Sequence, residues 1–136
     1  MRSGDLPALK PLLAQLGYAV ANAEISTRFQ AVFDSPAHAA WVAVSAGRVI
    51  GFLHAFERPA LEKPTEIVVQ AMVVEKTLRK SGVGARLMMQ TERWAQDRGH
   101  ASIALSSQID RADAHAFYAR LGFEAAATSH LLRKKI

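Results

Sequence analysis

A turn bearing two glycines, placed between an apolar strand and a long amphipathic helix, constrains this chain more than any other feature of its sequence. Residues 66–74 are apolar on both faces, which predicts a strand in the middle of a sheet rather than at its edge. From Gly82 to Arg98 the apolar residues recur at helical spacing, and Gly99 is placed to end the helix. In the turn, Gly82 and Gly84 let backbone N–H groups approach an anion closely, and the positive end of the helix dipole lies there. The sequence therefore predicts a binding site for a diphosphate group.

The turn alone does not identify its ligand. The run Arg79-Lys80-Ser81-Gly82-Val83-Gly84 lacks the third glycine of a dinucleotide-binding fingerprint, and it lacks the Gly-Lys-Ser/Thr ending of a P-loop. Rossmann and nucleoside triphosphatase folds are therefore poor fits. Glycines at a strand-to-helix turn are also often purely structural, so a second motif is needed.

The rest of the chain shows helical and strand patterns around this unit. Helices are predicted from Asp5 to Gly17, from just after Asn22 to just before Pro36, and over 112–121. Further strands are predicted over 40–44 and 49–53, joined by a hairpin at 45–48, and over 102–106, 123–126 and 130–135. Together these elements predict the α/β class, an α+β arrangement in which a mixed, mostly antiparallel sheet of about six strands is flanked by about four helices. No linker or repeat interrupts the pattern, so a single domain over residues 1–136 is expected.

The composition excludes several kinds of site. The chain has no cysteine, which excludes disulfides, thiolate metal ligands and a cysteine nucleophile. Its five histidines show no zinc-ligand spacing, so no metal is predicted. The net charge of +5 favours an anionic partner, but the charges are scattered and no RNA-binding aromatic pattern is present. A polyanionic cofactor accounts for the charge as well as nucleic acid does, and we expect no nucleic-acid partner.

The hydropathy pattern gives an expected location. No apolar run reaches the roughly 18 residues of a membrane-spanning helix, so no membrane partner is expected. Residues 1–10 lack the apolar stretch and the small-residue cleavage site of a secretory signal. The protein is therefore expected to be cytoplasmic.

A second motif lies one helix and one strand downstream of the glycine turn. Residues 111–123 read Arg-Ala-Asp-Ala-His-Ala-Phe-Tyr-Ala-Arg-Leu-Gly-Phe. In this order, the two motifs together resemble the GNAT superfamily of N-acetyltransferases, from Ala40 to the C-terminus and most strongly from Met72 to Phe123. The resemblance implies a GNAT-like fold and an acetyl-CoA-dependent transfer of an acetyl group to a primary amine, by direct attack within a ternary complex. Within the superfamily the sequence is most similar to acetylators of small-molecule amines, including aminoalkylphosphonate and aminoglycoside types.

The resemblance also implies a site for acetyl-CoA. The turn backbone would hold the pyrophosphate, and the central strand, splayed from its neighbour by a bulge, would hydrogen-bond the pantetheine arm. The Val73 N–H group is the candidate donor to the thioester carbonyl, where one such donor is worth roughly a hundredfold in rate. Arg111 stands where many relatives have an asparagine that contacts the cofactor, and an arginine there can meet a CoA phosphate. The implied cofactor-binding set is Met72, Val73, Val74, Arg79, Lys80, Ser81, Gly82, Val83, Gly84, Ala85 and Arg111.

The acceptor amine needs a base. An alkylammonium group, with a pKa of about 10.4, must lose a proton before its nitrogen attacks. In the resembling family a glutamate often stands where this chain has Val68. On a regular strand, alternate residues from Glu66 to Val74 share one face, which makes Glu66 the candidate catalytic base, acting directly or through water. A water chain beside a solvated Glu66 is an alternative, as are Glu57 and Asp34.

Tyr118 stands where the family places the acid that protonates the departing CoA thiolate. A tyrosine hydroxyl, with a pKa of about 10, can serve as that acid. A tyrosine in an amphipathic helix is otherwise a core residue with its hydroxyl at the edge, and this alternative stays open.

Two departures from the family pattern leave other functions open. Without a glutamate at Val68, the chain could be a non-catalytic acyl-CoA-binding or regulatory module of the same fold. A protein N-terminal or lysine acetyltransferase is another alternative, and a basic nucleic-acid or protein-interaction domain is a third. Family members usually begin with a strand before the first helix, whereas only residues 1–4 precede Asp5 here. A second copy covering the open sheet edge would make the protein a homodimer.

Overall fold

The computed structural model describes residues 1–136, which form two compact units, Met1–Leu105 and Ser106–Ile136. The first unit holds three helices and four strands: α1 (Leu6–Gln15), α2 (Asn22–Phe33), β1 (His38–Ser45), β2 (Arg48–Arg58), β3 (Glu66–Val74), α3 (Val83–Asp97) and β4 (Ile103–Leu105). Short 3₁₀ turns at Ser3–Asp5 and Lys76–Leu78 precede α1 and follow β3. That residues 1–136 form a single domain stays a prediction.

The four strands form one mixed sheet in the order β1-β2-β3-β4. β1 pairs antiparallel with β2, β2 pairs antiparallel with β3, and β3 pairs parallel with β4. The apolar strand β3 therefore lies inside the sheet, as its sequence predicts. None of the helices is long and apolar enough to cross a bilayer.

Two bulges interrupt the sheet. In β2, Ile50 has no partner on β1, because Val44 pairs with Val49 and Ala43 pairs with Gly51. In β3, the bulge falls opposite His54 and Ala55, which pair with Ala71 and Val69. The residue left over in β3 is Gln70, and its side chain is exposed. Since side chains alternate along a strand, each bulge reverses the face on which the following residues lie.

Helices cover both faces of the sheet. On one face, α1 and α2 pack on β2 and β3 through a buried cluster of apolar residues: Leu6, Leu9, Leu12, Ile25, Phe52 and Val73. On the other face, α3 lies over Gly51, where an added Cβ would lie 3.1 Å from Val83 Cγ1 and 3.2 Å from Leu87 Cδ1. The aromatic pair Trp41 and Trp94 joins β1 to α3, with ring centroids 5.8 Å apart. The fold class is thus the predicted one.

The second unit contains one helix, α4 (Ala112–Arg120). Gly122, at φ 90°, follows its end, and the Phe123 N–H donates back to the Tyr118 carbonyl at 3.0 Å. The strands predicted over 123–126 and 130–135 are absent, so the sheet has four strands rather than about six. The segment contains three alanines and two lysines, which have low strand propensity, and an isolated two-stranded hairpin is only marginally stable.

Candidate active site

The turn between β3 and α3 has the backbone of an anion-binding site. Gly82 is the N-cap of α3 and lies in the left-handed region at φ 88°, and Lys80 has φ 67°. No side chain caps the helix, so the N–H groups of its first turn have no partner within the protein. Uncapped N–H groups at the positive end of a helix dipole favour a phosphate group.

Three neighbouring residues shape and charge this turn. The Ser81 hydroxyl donates to the Leu78 carbonyl, which holds the turn closed. Arg79 Nε donates to the Val74 carbonyl at 3.4 Å, so the turn is tied to the end of β3. The side chains of Arg79 and Lys80 are both exposed and carry positive charge next to the helix terminus. The predicted turn residues, Arg79, Lys80, Ser81, Gly82, Val83, Gly84 and Ala85, are therefore contiguous at one end of α3.

A gap opens beside β3 just before this turn. The parallel pairing of β3 with β4 covers only three residue pairs and ends at Val69 and Leu105. The next residue, Gln70, is the bulged one. From that point to Val74 the open side of β3 has no partner strand, which is consistent with the splayed arrangement that the family resemblance implies.

The hydrogen-bond register shows which peptide groups of β3 face the gap. The Glu75 N–H donates to the Ile50 carbonyl on β2 at 2.8 Å. In an antiparallel pair, hydrogen-bonded and non-bonded residues alternate, so Val74 and Met72 direct their peptide groups away from β2 and Val73 directs its own toward it. The Val74 carbonyl that accepts from Arg79 agrees with this assignment. Met72 and Val74 therefore present backbone groups to the gap, whereas Val73, expected as the oxyanion donor, pairs with Phe52.

Glu66, the candidate base, is held by two cations. Its Oε2 atom accepts from Arg58 Nη2 at 2.7 Å and also from Lys63 Nζ. These hydrogen bonds, first from Lys63 and then from Arg58, hold the pKa of the Glu66 carboxyl below its usual range. A carboxylate with a lowered pKa is a weaker proton acceptor. Glu66 is also predicted to share one face of β3 with Met72 and Val74. This prediction is wrong, because the bulge at Gln70 reverses the alternation of side chains.

Glu57, an alternative base, lies on the opposite face of the sheet. Arg98 binds it through both Nε, at 2.5 Å to Oε1, and Nη2, at 2.9 Å to Oε2. His100 Nε2 lies 2.7 Å from the same Oε1 atom. Hydrogen bonds from Arg98 and His100 lower the pKa of Glu57 to about 2, so this carboxylate joins β2 to the end of α3 rather than accepting protons.

Two histidines that belong to neither sequence motif come together on the α1/α2 face. His38 Nδ1 lies 2.9 Å from His54 Nε2, and the two rings stack with centroids 5.2 Å apart. Burial, followed by the charge of His38, lowers the pKa of His54 to about 4. His54 pairs across the strands with Ala71, the residue next to the bulge. In the sequence, His38 and His54 lie just outside the two predicted hairpin strands, 40–44 and 49–53, a pattern that does not by itself place them on one face.

A cavity adjoins this histidine pair. It lies between α2 and β1, and its walls include Phe29, Val32 and Phe33 from α2 and His38, Ala39 and Ala40 from β1. His38 is the only titratable side chain among the residues that line it.

Tyr118 and Arg111 belong to the second unit. The Tyr118 ring packs between Phe117 and Phe123, with centroids 5.2 Å and 5.7 Å away. Burial raises the pKa of the Tyr118 hydroxyl, and the charge of Arg111 opposes that change. The phenol is therefore protonated at neutral pH, as an acid must be. No group of three or more His, Asp or Glu side chains is placed to hold a metal ion.

Comparisons with known proteins agree with this architecture. Residues 8–123 match the sequence model of the acetyltransferase (GNAT) family. One curated relative, the uncharacterized N-acetyltransferase YhdJ of Bacillus subtilis, is 31% identical over 83 residues, which are 60% of this chain and 57% of the relative. The match thus spans little more than half of that relative's length.

Solved structures resemble almost the whole chain. A transcriptional regulator from Bacillus halodurans has a TM-score of 0.90 at 21% identity, covering 98% of this chain and 96% of its own. An aminoglycoside 6'-N-acetyltransferase from Acinetobacter haemolyticus has a TM-score of 0.86 at 22% identity, covering 100% and 96%. The aminoglycoside N-acetyltransferase AAC(6')-Iy in complex with CoA has a TM-score of 0.86 at 20% identity, covering 100% and 97%. At these identities the likeness establishes the fold.

Proposed function

The chain belongs to the acetyltransferase (GNAT) family, and from this premise we propose that it transfers the acetyl group of acetyl-CoA to a primary amine of a small molecule. Members of this family use acetyl-CoA as the co-substrate. One observation carries the proposal: the unpaired edge of β3 is followed, after the turn at residues 75–82, by the uncapped N-terminus of α3. A long ligand with a diphosphate at one end and a peptide-like arm at the other matches that pair of features.

The residues of the turn bind the diphosphate in this proposal. The N–H groups of the first turn of α3 donate to the phosphate oxygens, and Arg79 and Lys80 add positive charge. The backbone of Met72 and Val74 hydrogen-bonds the amides of the pantetheine arm, in the manner of an added strand. Arg111 is proposed as a contact to a CoA phosphate on the strength of the family resemblance.

The chemistry needs two proton transfers. The amine loses a proton before attack, and the CoA thiolate gains one when the tetrahedral intermediate collapses. Tyr118 is the proposed acid, because it stands at the family's position and its raised pKa keeps it protonated. Glu66 is the base that the sequence predicts, but its two cationic partners lower its pKa and make it a weaker proton acceptor.

The experiment is a thermal-shift measurement with acetyl-CoA followed by an assay of free-thiol release. The amine panel contains polyamines, aminoglycosides, aminophosphonates, arylalkylamines, amino acids and peptide N-termini. A raised melting temperature with thiol release for at least one small amine supports the proposal. Binding of acetyl-CoA with no turnover would instead indicate a non-catalytic acyl-CoA-binding module, and turnover confined to peptides would indicate a protein acetyltransferase.

A homodimer is a further proposal. It is supported by the apolar residues exposed in the C-terminal segment, where Leu131, Leu132 and Ile136 are 82%, 88% and 117% accessible. Association with a second copy would bury these side chains. Sedimentation at micromolar concentration tests it, and a monomer would contradict it.

A further inference from the structure

The histidine pair, the small residues around it and the adjoining cavity form a second half of the site, on the α1/α2 face. His54 lies on β2 between Ala40 on β1 and Ala71 on β3, its cross-strand partners. Both neighbours have only a methyl side chain. Ala71 is the one side chain of this cross-strand row that lies between His54 and the open edge of β3.

We propose that this face binds an amine with an apolar body, whose body occupies the cavity and whose ammonium proton passes to His54 and on to His38. The inference rests on the proposed acetyl transfer. It assigns both the acceptor class and the base of that reaction.

The lining of the cavity supports an apolar acceptor. Phe29, Val32 and Phe33 form one wall, and no lysine, arginine, aspartate or glutamate is among the lining residues. A polycationic acceptor such as an aminoglycoside requires carboxylates to balance its charge, and none lines this cavity. A ring or a branched alkyl group gains free energy there by burying apolar surface.

The spacing of the strands limits the length of the acceptor. The cavity wall lies on β1, and the open edge lies on the far side of β3. Neighbouring strands are about 4.8 Å apart, so the cavity and the edge are separated by roughly 10 Å. An arylalkylamine with a short linker between ring and nitrogen reaches from the cavity to His54 and Ala71, which leaves its nitrogen about one strand spacing from the open edge.

The hydrogen bond between the two rings provides the route for the proton. In its neutral form with hydrogen on Nε2, His54 donates to His38 Nδ1. The N–H bond of the ammonium breaks and an Nδ1–H bond forms on His54, while the His54 Nε2–H bond breaks and an Nδ1–H bond forms on His38. The amine is left neutral with a free lone pair, and the positive charge moves to the His38 imidazolium. Because burial lowers the pKa of His54 to about 4, its ring is neutral at pH 7 and does not keep the proton, so the onward transfer to His38 is an essential part of the step.

The test compares two acceptors that differ in basicity. Phenethylamine is an ammonium ion at pH 7, whereas O-benzylhydroxylamine is weakly basic and already neutral. We expect His54→Gln to lower kcat about a hundredfold with phenethylamine and less than about threefold with O-benzylhydroxylamine. His38 acts through His54, so His38→Gln should also lower kcat with phenethylamine more than with O-benzylhydroxylamine, but by a smaller factor than His54→Gln does. An equal loss with both acceptors, or no loss with either, would overturn the assignment of the base.

Two matched arms check the alternatives. His115→Gln, at an exposed position of α4, should leave both activities unchanged. If Glu66→Gln, rather than His54→Gln, shows the loss selective for phenethylamine, then the carboxylate is the base and the inference is wrong.

A third arm checks the cavity. Val32→Trp fills it and should raise KM for phenethylamine at least about tenfold, whereas Ala31→Trp, at the adjacent exposed position of α2, should not. Binding of acetyl-CoA is measured by calorimetry for every variant. One outcome separates the inference from the proposed acetyl transfer. If acetyl-CoA binds and aminoglycosides are acetylated while neither phenethylamine nor O-benzylhydroxylamine reacts, the inference fails and the proposed acetyl transfer stands. If acetyl-CoA does not bind, or no amine yields free thiol, the proposed function itself fails.

Discussion

Gly51 on β2 lies directly beneath Val83, the first residue of α3, so closely that an added Cβ would be 3.1 Å from Val83 Cγ1. Leu87 Cδ1, one turn further along the helix, would be 3.2 Å away. The absence of a side chain at this position therefore sets how near the helix N-terminus comes to the sheet. It also sets where the N–H groups of the proposed phosphate site lie relative to β3.

Substituting Gly51 by alanine should weaken CoA binding. The Val83 and Leu87 side chains on the first turns of α3 must give way to the new methyl group by a few tenths of an ångström, and overpacking of this kind costs about 1–2 kcal/mol in the free energy of unfolding. We expect a lower melting temperature together with a several-fold higher Kd for CoA, measured by calorimetry. Gly4→Ala is the matched control, because nothing lies within 4 Å of a Cβ there. An unchanged Kd in Gly51→Ala would contradict the link between this contact and the ligand.

Gly82 and Gly99 flank the two ends of α3 and both have positive φ, at 88° and 78°. Neither has a heavy atom within 4 Å of an added Cβ, so alanine at either position costs only the left-handed backbone strain, about 1–2 kcal/mol. Both variants should therefore lose similar stability in urea unfolding. Only Gly82→Ala should also raise the Kd for CoA, because its strain falls on the turn that presents the N–H groups. Equal Kd values for CoA in the two variants would mean that the turn at Gly82 does not bind CoA.

The Glu57 carboxylate should contribute stability that depends on pH. Its pKa of about 2 in the folded protein is below the value of about 4.5 for a free carboxyl, because Arg98 and His100 bind its charged form. A lowered folded-state pKa means that the contribution is fully present above about pH 4.5 and is lost as the pH falls toward 2. The free energy of unfolding of Glu57→Gln should thus lie below that of the wild type at pH 7, and the difference should narrow between pH 4.5 and 2.

Glu24→Gln is the control for that measurement. Glu24 pairs with Arg28 at 3.9 Å on the exposed face of α2, and such pairs contribute little. Its free energy of unfolding should follow the wild-type curve at every pH. A difference as large as that of Glu57→Gln would mean that net charge, rather than the Arg98 and His100 contacts, controls acid stability.

Local patterns made part of this structure predictable. The strand at 66–74, the glycine turn and the long helix after it each depend on residues close together in sequence, and all three are confirmed. The prediction of two C-terminal strands was wrong. A strand forms only beside a partner strand, and the apolar residues of the C-terminal segment do not indicate whether a partner is available.

The bulges explain what the sequence could not provide. Counting back from the hairpin turn, where Ser45 pairs with Arg48, a regular hairpin would place His38 opposite Ala55 and on the face away from His54. The unpaired Ile50 shifts the register by one residue, so His38 lies opposite Phe56 and reaches His54. In β3, the bulge at Gln70 similarly separates Glu66 from the face of Met72. A bulge depends on tertiary packing and leaves no periodic trace in sequence.

Tyr118→Phe should slow the reaction without abolishing it. If the phenol protonates the departing thiolate, its loss should lower kcat by about tenfold, because a thiol of pKa about 8.5 is a fair leaving group unaided. Stability should change little, since the ring keeps its contacts with Phe117 and Phe123 and only the hydroxyl is removed. Tyr18→Phe, at a position that is 64% accessible, is the control and should match the wild type. Because the step concerns the leaving group, the loss of kcat should be the same for strongly and weakly basic amines. A loss confined to strongly basic amines would mean that Tyr118 acts on the acceptor. An unchanged kcat would mean that Tyr118 is only a core residue of the second unit.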